Sequence, residues 1–497
     1  MVEKHYQFYW RELEKKQEVL ISSFIPTYLQ MQPSLHPLAN NPQKVDGGAL
    51  SYALGRLPNC IGQVDRVLLG QSRGDFAKAG FKISEAQEAL TKARKRRCYF
   101  LPNKATLACY IASATDVDDL VNALIAYLIE KRKQGEQKEI SVQLLADHEV
   151  GYRQIAQSWW TQVRNNFLAL GLEDKPLYFI SSNLHGLVNI IGGFARSKQV
   201  EIFDYIQKSQ PEMYREWLKI EKGENKLRVN HFLYYLSKLY FETHPKAFAE
   251  KLRFEEKIGI KQVRSVEGLD CNAQLIPVSL LGTTQSLDPH LKVSYPSELA
   301  KSEALIINIQ YPLGMSAYYL LSELLENLKL LKGVYIIGKA AILAGQVGDI
   351  QIPSTVFDKN SRQTFLFPNI FNQKFPFASF QASILKEQKA VSVKGTFLEN
   401  QKQLEGYKEA NFNIVEMESG PYLKALSEYQ SEVNLGPEGY FHLDNLPLEL
   451  GIINYASDNP FAEESLAKGT LGLRGIESTY LAGLAVLERI IQKEEMA

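Results

Sequence analysis

Acidic residues that follow short apolar segments are the first features of this sequence that could do chemistry. Glu416 and Glu418 stand in a Val-Glu-Met-Glu run, and Asp458 stands in a Ser-Asp-Asn-Pro run. A carboxylic acid can give a proton to a leaving group. A carboxylate can stabilise positive charge that develops on a substrate. These three residues are therefore the first candidates for catalysis.

Each of these segments also has a purely structural interpretation. Carboxylates are favoured in the first turn of a helix, which would account for Glu416 and Glu418. A serine–aspartate pair after a strand is a common helix N-cap, which would account for Ser457 and Asp458. The small residues that begin at Gly338 could form only a tight turn. Taken singly, such short motifs do not separate structure from catalysis.

The elements around these residues predict an α/β domain with three layers. Short apolar runs rich in β-branched residues alternate with helical patterns after about residue 254. Strands are expected over residues 275–281, 305–309, 334–337, 413–415 and 450–456, and helices over 315–331 and 476–493. Strands that alternate with helices form a mostly parallel central sheet. Ligands bind at the carboxyl ends of such strands, where the candidate residues stand.

The first half of the chain has a different pattern, which is mainly helical. Helices are expected over residues 6–25, 115–133, 148–170 and 227–252, with one short strand candidate at 176–181. The expected organisation is a mainly helical domain of unknown role over residues 1–265, followed by the α/β domain over residues 266–497. Two or three domains are usual for a chain of 497 residues.

Composition narrows the class of protein. Acidic and basic residues are equal in number, 56 each, so charge gives no argument for a nucleic-acid partner. Four cysteines without a Cys-x-x-Cys pair favour neither a disulfide scaffold nor a zinc site. The polar N-terminus does not resemble a secretory signal, and no apolar run reaches the roughly 18 residues that a membrane span needs. We expect a cytoplasmic protein without a bound metal.

The order of four post-strand segments resembles the nucleoside phosphorylase superfamily. A glycine turn at Gly338 is followed by Val-Gly-Asp at residues 347–349, by residues 392–399, by Val-Glu-Met-Glu at 415–418 and by Ser457-Asp458. The superfamily includes purine nucleoside phosphorylases, methylthioadenosine nucleosidase and AMP nucleosidase. The chain is most similar to the AMP nucleosidase branch, over about 200 residues at its C-terminus.

This resemblance implies roles for individual residues. Asp458 would protonate the departing purine, and Glu418 would hold the ribose hydroxyl groups with Met417 packed under the sugar. Phe397 matches the position that stacks on the base, and stacking tolerates changes of base. The remaining residues expected to line the substrate site are Glu416, Gly338 and Ser457. No cofactor is implied, and we expect a homo-oligomer.

Two departures from the family pattern favour hydrolysis over phosphorolysis. Ala341 and Ile342 stand where the family turn has glycines. The family's early Gly-x-Gly is replaced by residues 310–314, where Pro312 offers no backbone N–H to an anion. A phosphate site needs backbone donors and usually arginine. If the substrate carries its own 5′-phosphate, Lys468 or Arg474 could hold it.

The sequence therefore predicts a nucleosidase that hydrolyses the N-glycosidic bond of a purine nucleoside or nucleotide. Three alternatives remain open. The domain could bind a nucleotide without cleaving it, in a regulatory role. It could be a nucleoside phosphorylase that receives an arginine from a partner subunit. The helical first half could be an interaction module for which the second half is a scaffold. The base and the residue that activates water are not assigned.

Overall fold

The computed structural model describes residues 5–14, 17–20, 138–148, 152–169, 175–222, 226–266, 269, 271–312, 314–328, 330–377, 383–393, 401–430, 435–461 and 473–496. The helix expected over residues 115–133 lies outside these ranges.

The first described segments form a small antiparallel sheet. Strand β1 (His5–Glu14) pairs with β2 (Gln17–Leu20) and with β3 (Lys138–His148). The helix expected over residues 6–25 is therefore wrong. The helix was predicted from the helical spacing of the apolar residues. Residues 6–10 of β1 are rich in aromatic side chains, however, and these favour an extended backbone.

A large mixed sheet forms the centre of the molecule. Its strands are β4 (Leu177–Ser182), β5 (Lys261–Val263), β6 (Ala273–Pro277), β7 (Leu305–Gln310), β8 (Leu331–Ile342), β9 (Ile350–Asp358), β10 (Gln363–Leu366), β11 (Ile384–Ser392), β12 (Ile414–Glu416), β13 (Phe441–His442) and β14 (Glu449–Asp458). Strands β7, β4, β8 and β14 are parallel neighbours in that order. Strands β6 and β5 extend the sheet with antiparallel pairs beyond β7.

Five of these strands close into a ring. Strand β9 pairs with β11, β11 with β12, β12 with β8, β8 with β14, and β14 again with β9. Because β8 is shared by β12 and β14, the ends of those two strands lie on opposite sides of it. The carboxylates predicted from the sequence stand at those two strand ends.

Helices cover both faces of the sheet. They are α1 (Tyr152–Ala169), α2 (Gly186–Gly192), α3 (Phe194–Ser197), α4 (Gln199–Ser209), α5 (Pro211–Glu221), α6 (Lys226–Thr243), α7 (Pro245–Lys257), α8 (Leu280–Thr283), α9 (Pro296–Leu299), α10 (Met315–Asn327), α11 (Ile370–Gln373), α12 (Gln401–Glu409), α13 (Ser419–Tyr429) and α14 (Leu473–Glu495). Helices α2 to α7 and α14 contribute to the hydrophobic core on one face. Helices α1, α10 and α13 contribute to the core on the other face. The predicted α/β class with a large central sheet is confirmed.

The sheet begins earlier in the chain than the sequence indicates. Strand β4 lies between β7 and β8, and every residue in it is buried. Phe232 of α6 and Tyr178 of β4 belong to the same hydrophobic core as α14. Strand β4, which precedes residue 265, therefore lies in the same sheet as the strands that follow that residue. A strand that is covered on both faces is a continuous apolar run, as β4 is. In the sequence, helices α2 to α7 separate β4 from its partner strands β7 and β8.

Strand β8 is longer than the expected residues 334–337. It continues through Ala341 and Ile342, which pair with Val415 and Ile414 of β12. These are the positions where the family pattern has glycines. Residues with side chains favour the extended strand more than glycine does, so the replacement lengthens β8. Within the described ranges, no helix is long and apolar enough to span a membrane.

Candidate functional site

Asp458 ends β14 at an irregularity of the strand. Ala456 pairs with Ala340 of β8, and Asp458 pairs with the very next residue, Ala341, so that Ser457 is an extra residue in β14. A β-bulge of this kind turns the following side chain to the other face of the sheet. Asp458 therefore faces the same side as Lys339, which is two residues before Ala341 on β8.

Lys339 is exposed in a strand that is otherwise buried or half-buried. An exposed residue in the middle of a central strand indicates an opening in the layer that covers the sheet. Surrounding protein lowers the pKa of Lys339, and the negative charge of Asp458 offsets part of that effect. The exposed ammonium group of Lys339 and the buried carboxyl group of Asp458 thus act on each other electrostatically. Sequence reasoning did not single out Lys339.

Glu416 ends β12 and caps the helix that follows. Its Oε2 accepts hydrogen bonds from the backbone N–H groups of Glu418 and Ser419, at 2.8 and 2.7 Å. Burial raises the pKa of Glu416, while these N–H groups favour its charged form. The structural interpretation of a carboxylate in the first helical turn therefore describes Glu416 well.

Glu418 stands at the N-cap position of α13 and has a different environment. It is buried, and both burial and the neighbouring Glu416 raise its pKa well above the usual range. Its charge acts on two tyrosines, Tyr311 and Tyr455. The Glu418 carboxyl group accepts a hydrogen bond from the backbone N–H group of Met417, at 3.3 Å, and a carboxyl group can accept further hydrogen bonds from a polar ligand.

Asp458 and Val415, which precedes Glu418 by three residues, lie on either side of one residue of β8. Ala341 of β8 pairs with Val415 of β12 on one side and with Asp458 of β14 on the other. Neighbouring strands are about 4.8 Å apart, so Val415 and Asp458 are separated by about 10 Å at the backbone. Glu418 follows Val415 by three residues. The structure therefore brings Asp458 and Glu418 to the same edge of the sheet.

Two tyrosines that the sequence analysis missed meet at this edge. The hydroxyl groups of Tyr311, just after β7, and Tyr455, in β14, are 3.3 Å apart. Burial raises the pKa of Tyr311 well above the usual range, and the nearby side chain of Asn183 offsets part of that effect. All three residues lie in or just after strands that end at this edge, so the rule that ligands bind at strand ends could have identified them.

Gly338 makes room for a neighbouring side chain. A Cβ atom at this position would lie 2.6 Å from Oδ1 of Asn454, its partner on β14. The amide group of Asn454 is buried and has no hydrogen-bond partner among the described residues. Gly338 was expected to line the substrate site. Its lack of a side chain leaves room for the buried amide group of Asn454 beside β8.

Gly338→Ala is expected to destabilise the protein by about 1–3 kcal/mol, the usual cost of overpacking. The added methyl group must displace the Asn454 amide. Urea denaturation of the variant measures this loss, and Asn454→Ala in the same chain should restore most of it. Gly406→Ala is the control, since a Cβ atom there has nothing within 4 Å. Equal stabilities for the two glycine variants would contradict the close approach at Gly338.

The other predicted site residues have the following positions. The Ser457 hydroxyl group donates to the carbonyl oxygen of Ala340, at 3.1 Å. Met417 is half-buried and packs against the hydrophobic cluster that contains Val415. Phe397 and Lys468 lie outside the described residues. Arg474 is in α14, but its side chain is not described.

Metal ligation finds no support in the part of the chain that the structure describes. No group of three or more histidine, cysteine or acidic side chains there could hold a metal ion. His185, which follows β4, is instead hydrogen-bonded through Nδ1 to the hydroxyl group of Tyr480, at 2.9 Å. Burial lowers the pKa of His185 to about 3.

The comparisons with families and curated proteins give one match. A family described as a family of unknown function (DUF6909) matches residues 21–137 and 131–492. No curated protein is significantly similar in sequence.

Several solved structures have a similar arrangement at low identity. The 5′-methylthioadenosine nucleosidase of Arabidopsis thaliana in apo form is 9% identical, covers 64% of this chain and 96% of its own, and has a TM-score of 0.34. The 5′-methylthioadenosine/S-adenosylhomocysteine nucleosidase of Neisseria meningitidis in complex with methylthio-immucillin-A is 12% identical. The match covers 63% of this chain and 98% of the nucleosidase, with a TM-score of 0.33. Purine nucleoside phosphorylase of Toxoplasma gondii in complex with immucillin-H is 8% identical. The match covers 65% of this chain and 93% of the phosphorylase, with a TM-score of 0.32. These values assign no activity to this chain.

Proposed function

We propose that this chain, which belongs to the family of unknown function DUF6909, hydrolyses the N-glycosidic bond of a purine nucleoside or nucleotide. The observation that carries the proposal is the placement of two carboxyl groups around Ala341. Asp458 is on one side of it, on a bulged strand, and the segment that leads to Glu418 is on the other. The order of the motifs, which resembles that of nucleosidases, supplies the reaction class.

The two carboxyl groups suit the two ends of the bond that breaks. When the bond between the sugar carbon and the base nitrogen breaks, its electron pair leaves with the base. Asp458, in its protonated form, supplies the proton that the base takes up and regains one from the solvent after the water has reacted, and Lys339 stabilises the developing negative charge. Glu418 hydrogen-bonds the sugar hydroxyl groups and stabilises the positive charge that develops on the sugar.

The attacking water has a suitable place beside Glu418. The hydroxyl groups of Tyr311 and Tyr455 and the amide of Asn183 are neutral donors and acceptors that can orient a water molecule. Water adds its oxygen to the sugar carbon and loses one proton, so the products are a free base and a free sugar or sugar phosphate.

Base release is expected to be independent of inorganic phosphate. The segment after β7, where the family pattern has an anion-binding glycine turn, contains Pro312 and the buried Tyr311 hydroxyl group. An anion leaves water only for several N–H donors or a fixed cation. The experiment incubates the protein with purine nucleosides and nucleoside monophosphates, with and without phosphate, and identifies base and sugar by chromatography. Formation of sugar 1-phosphate at a phosphate-dependent rate would identify a phosphorylase instead.

A regulatory protein that binds a nucleotide without cleaving it is the second candidate function. The observation in its favour is the regular pairing of β8 through Ala341 and Ile342, where the family pattern has glycines. Glycine at such positions allows close approach of a ligand to the backbone. A rise in melting temperature with nucleotides, without any release of base, would support this candidate over hydrolysis.

A further inference from the structure

Two hydroxyl groups between helix α13 and the sheet have no hydrogen-bond partner among the residues that the structure describes. They are Oγ of Ser181, in β4, and Oη of Tyr422, in α13. The exposed fractions of the two residues are 1% and 0%. A buried polar group in a native protein is almost always paired, either with protein or with ordered water. Both hydroxyl groups therefore require a partner that is small enough to be enclosed.

The packing of the Tyr422 ring places the two hydroxyl groups on the same face of the sheet. The ring meets that of Phe179 edge-on, with 5.7 Å between the ring centroids. Side chains alternate along a strand, so Ser181, two residues after Phe179, points to the same face of β4. Burial raises the pKa of Tyr422, and the nearby side chain of Ser181 offsets part of that effect, which agrees with this placement.

Glu418 lies one helical turn before Tyr422. The backbone N–H group of Tyr422 donates to the carbonyl oxygen of Glu418, at 3.1 Å, and residues spaced by four share one face of a helix. Side chains of a helix also lean toward its N-terminus. The ring of Tyr422 therefore extends from α13 toward Glu418, and Ser181 lies at the carboxyl end of β4 on the same face.

The backbone N–H groups at the start of α13 are already paired. They donate to two buried side chains, at Oε2 of Glu416 and Oγ of Ser392, and Pro421 has no N–H group to offer. An anion binds a helix N-terminus through free N–H groups. The partner of the two hydroxyl groups is therefore a neutral molecule.

A water molecule meets these requirements. An enclosed water usually forms about three hydrogen bonds with polar groups, and Ser181, Tyr422 and Glu418 offer three. The two hydroxyl groups can each donate to the water oxygen, and one O–H group of the water can donate to a carboxylate oxygen of Glu418.

The titratable groups around Glu418 come from several elements. Glu416, at the end of β12, opposes the charge of Glu418. Burial raises the pKa of Tyr311, Tyr422 and Tyr455, and the charge of Glu418 adds to that effect. These tyrosines are therefore neutral near pH 7. Among the described residues, the groups that act on Glu418 include no cation, so hydrogen-bond donors must hold its charge.

We propose that Ser181 and Tyr422 hold one internal water molecule beside Glu418, and that this water donates a hydrogen bond that favours the charged carboxylate. The inference rests on the proposed function, in which Glu418 stabilises the positive charge that develops on the sugar. Burial and Glu416 act against a negative Glu418, and the water offsets part of their effect. Ser181 and Tyr422 are thus positioning residues, which act on the substrate through Glu418.

The titration of Glu418 is measured first, without substrate. Carbon-13 NMR of the full chain, labelled at the glutamate carboxyl carbons, follows the Glu418 signal, which Glu418→Gln identifies by removing it. Tyr422→Phe and Ser181→Ala should each raise the midpoint by about one pH unit, the net contribution of one hydrogen bond. Ser181→Thr retains a hydroxyl group and should keep the midpoint. Tyr318→Phe is the control, because the Tyr318 hydroxyl group donates to Glu428 on the surface, at 2.6 Å.

An unchanged midpoint in either Tyr422→Phe or Ser181→Ala would overturn the shared water. A lower midpoint would overturn it too, because the hydroxyl groups would then favour the neutral carboxyl group. If Tyr422→Phe fails to fold, Ser181→Ala decides the question alone, since it removes a single oxygen atom.

Kinetics separate this inference from the proposed function. With an active enzyme and a purine nucleoside, the acid limb of the pH profile of kcat/KM should move up in Tyr422→Phe by as much as the NMR midpoint does, because this profile reports ionisations of the free enzyme. A structural role alone would lower the melting temperature and leave the limb in place, which would overturn the inference even if base is released. A chain that releases no base but shows the shifted titration would retain the water site and refute the hydrolase.

Discussion

Asp458→Asn is expected to lower the rate of base release by a factor of about 100 to 10,000, the usual contribution of a positioned acid. An amide cannot give the departing base a proton, but it has nearly the same shape as the carboxyl group. The fold should therefore be retained. Chromatography of the released base measures the rate, and circular dichroism during heating measures the stability.

Asp444→Asn is the matched control for this experiment. Asp444 is an exposed aspartate near His442, away from the edge where β14 ends. Its replacement should change neither rate nor melting temperature. If Asp458 is only a helix cap, its replacement would cost at most about 1 kcal/mol of stability and leave base release as it was. That pattern would remove Asp458 from the catalytic site.

Glu418→Gln is expected to reduce kcat/KM by about tenfold to a hundredfold, which corresponds to the loss of a charge-assisted hydrogen bond. The protein should not become less stable. Burial and Glu416 raise the pKa of Glu418 well above the usual range, so a neutral amide removes the cost of a buried charge. Steady-state kinetics and urea denaturation give the two quantities independently.

Glu416→Gln is the neighbouring variant that tests which glutamate binds the sugar. The carboxylate of Glu416 accepts two backbone N–H groups at the start of α13. Its neutral replacement should therefore cost about 1 kcal/mol of stability and have the smaller effect on kcat/KM. A larger kinetic effect from Glu416→Gln would make Glu416 the sugar-binding carboxylate.

The patterns in the sequence were sufficient to locate the two strands that Glu418 and Asp458 follow. Glu418 and Asp458 each follow an apolar strand, but β12 runs antiparallel to β8 whereas β14 runs parallel to it, so the ends of the two strands come together only through their pairing with Ala341. Patterns of two and 3.6 residues predicted five of the ten strands that the structure describes after residue 254, whereas β9, β10 and β11 were not predicted. Local periodicity was sufficient for these features.

Features that depend on pairing between distant strands could not be predicted. The extra residue in β14 at Ser457 is visible only in the register with β8, yet it decides which way Asp458 faces. The place of β4 depends on β7 and β8, which follow it after the inserted helices. None of these relations leaves a periodic pattern in the sequence.

The position of β4 has a consequence for how the chain reaches its native state. During synthesis β4 leaves the ribosome before both of its neighbours, and it must wait first for Leu305 and then for Leu331 before either side can pair. Contacts between residues so far apart in sequence slow folding, because the intervening loop must be closed first. Until then an apolar strand has two open edges, which attract other chains. The inserted helices α2 to α7 are made next, and they cover one face of β4 during this interval. The order of synthesis thus lets these helices cover apolar surface of β4 before its two edges can pair.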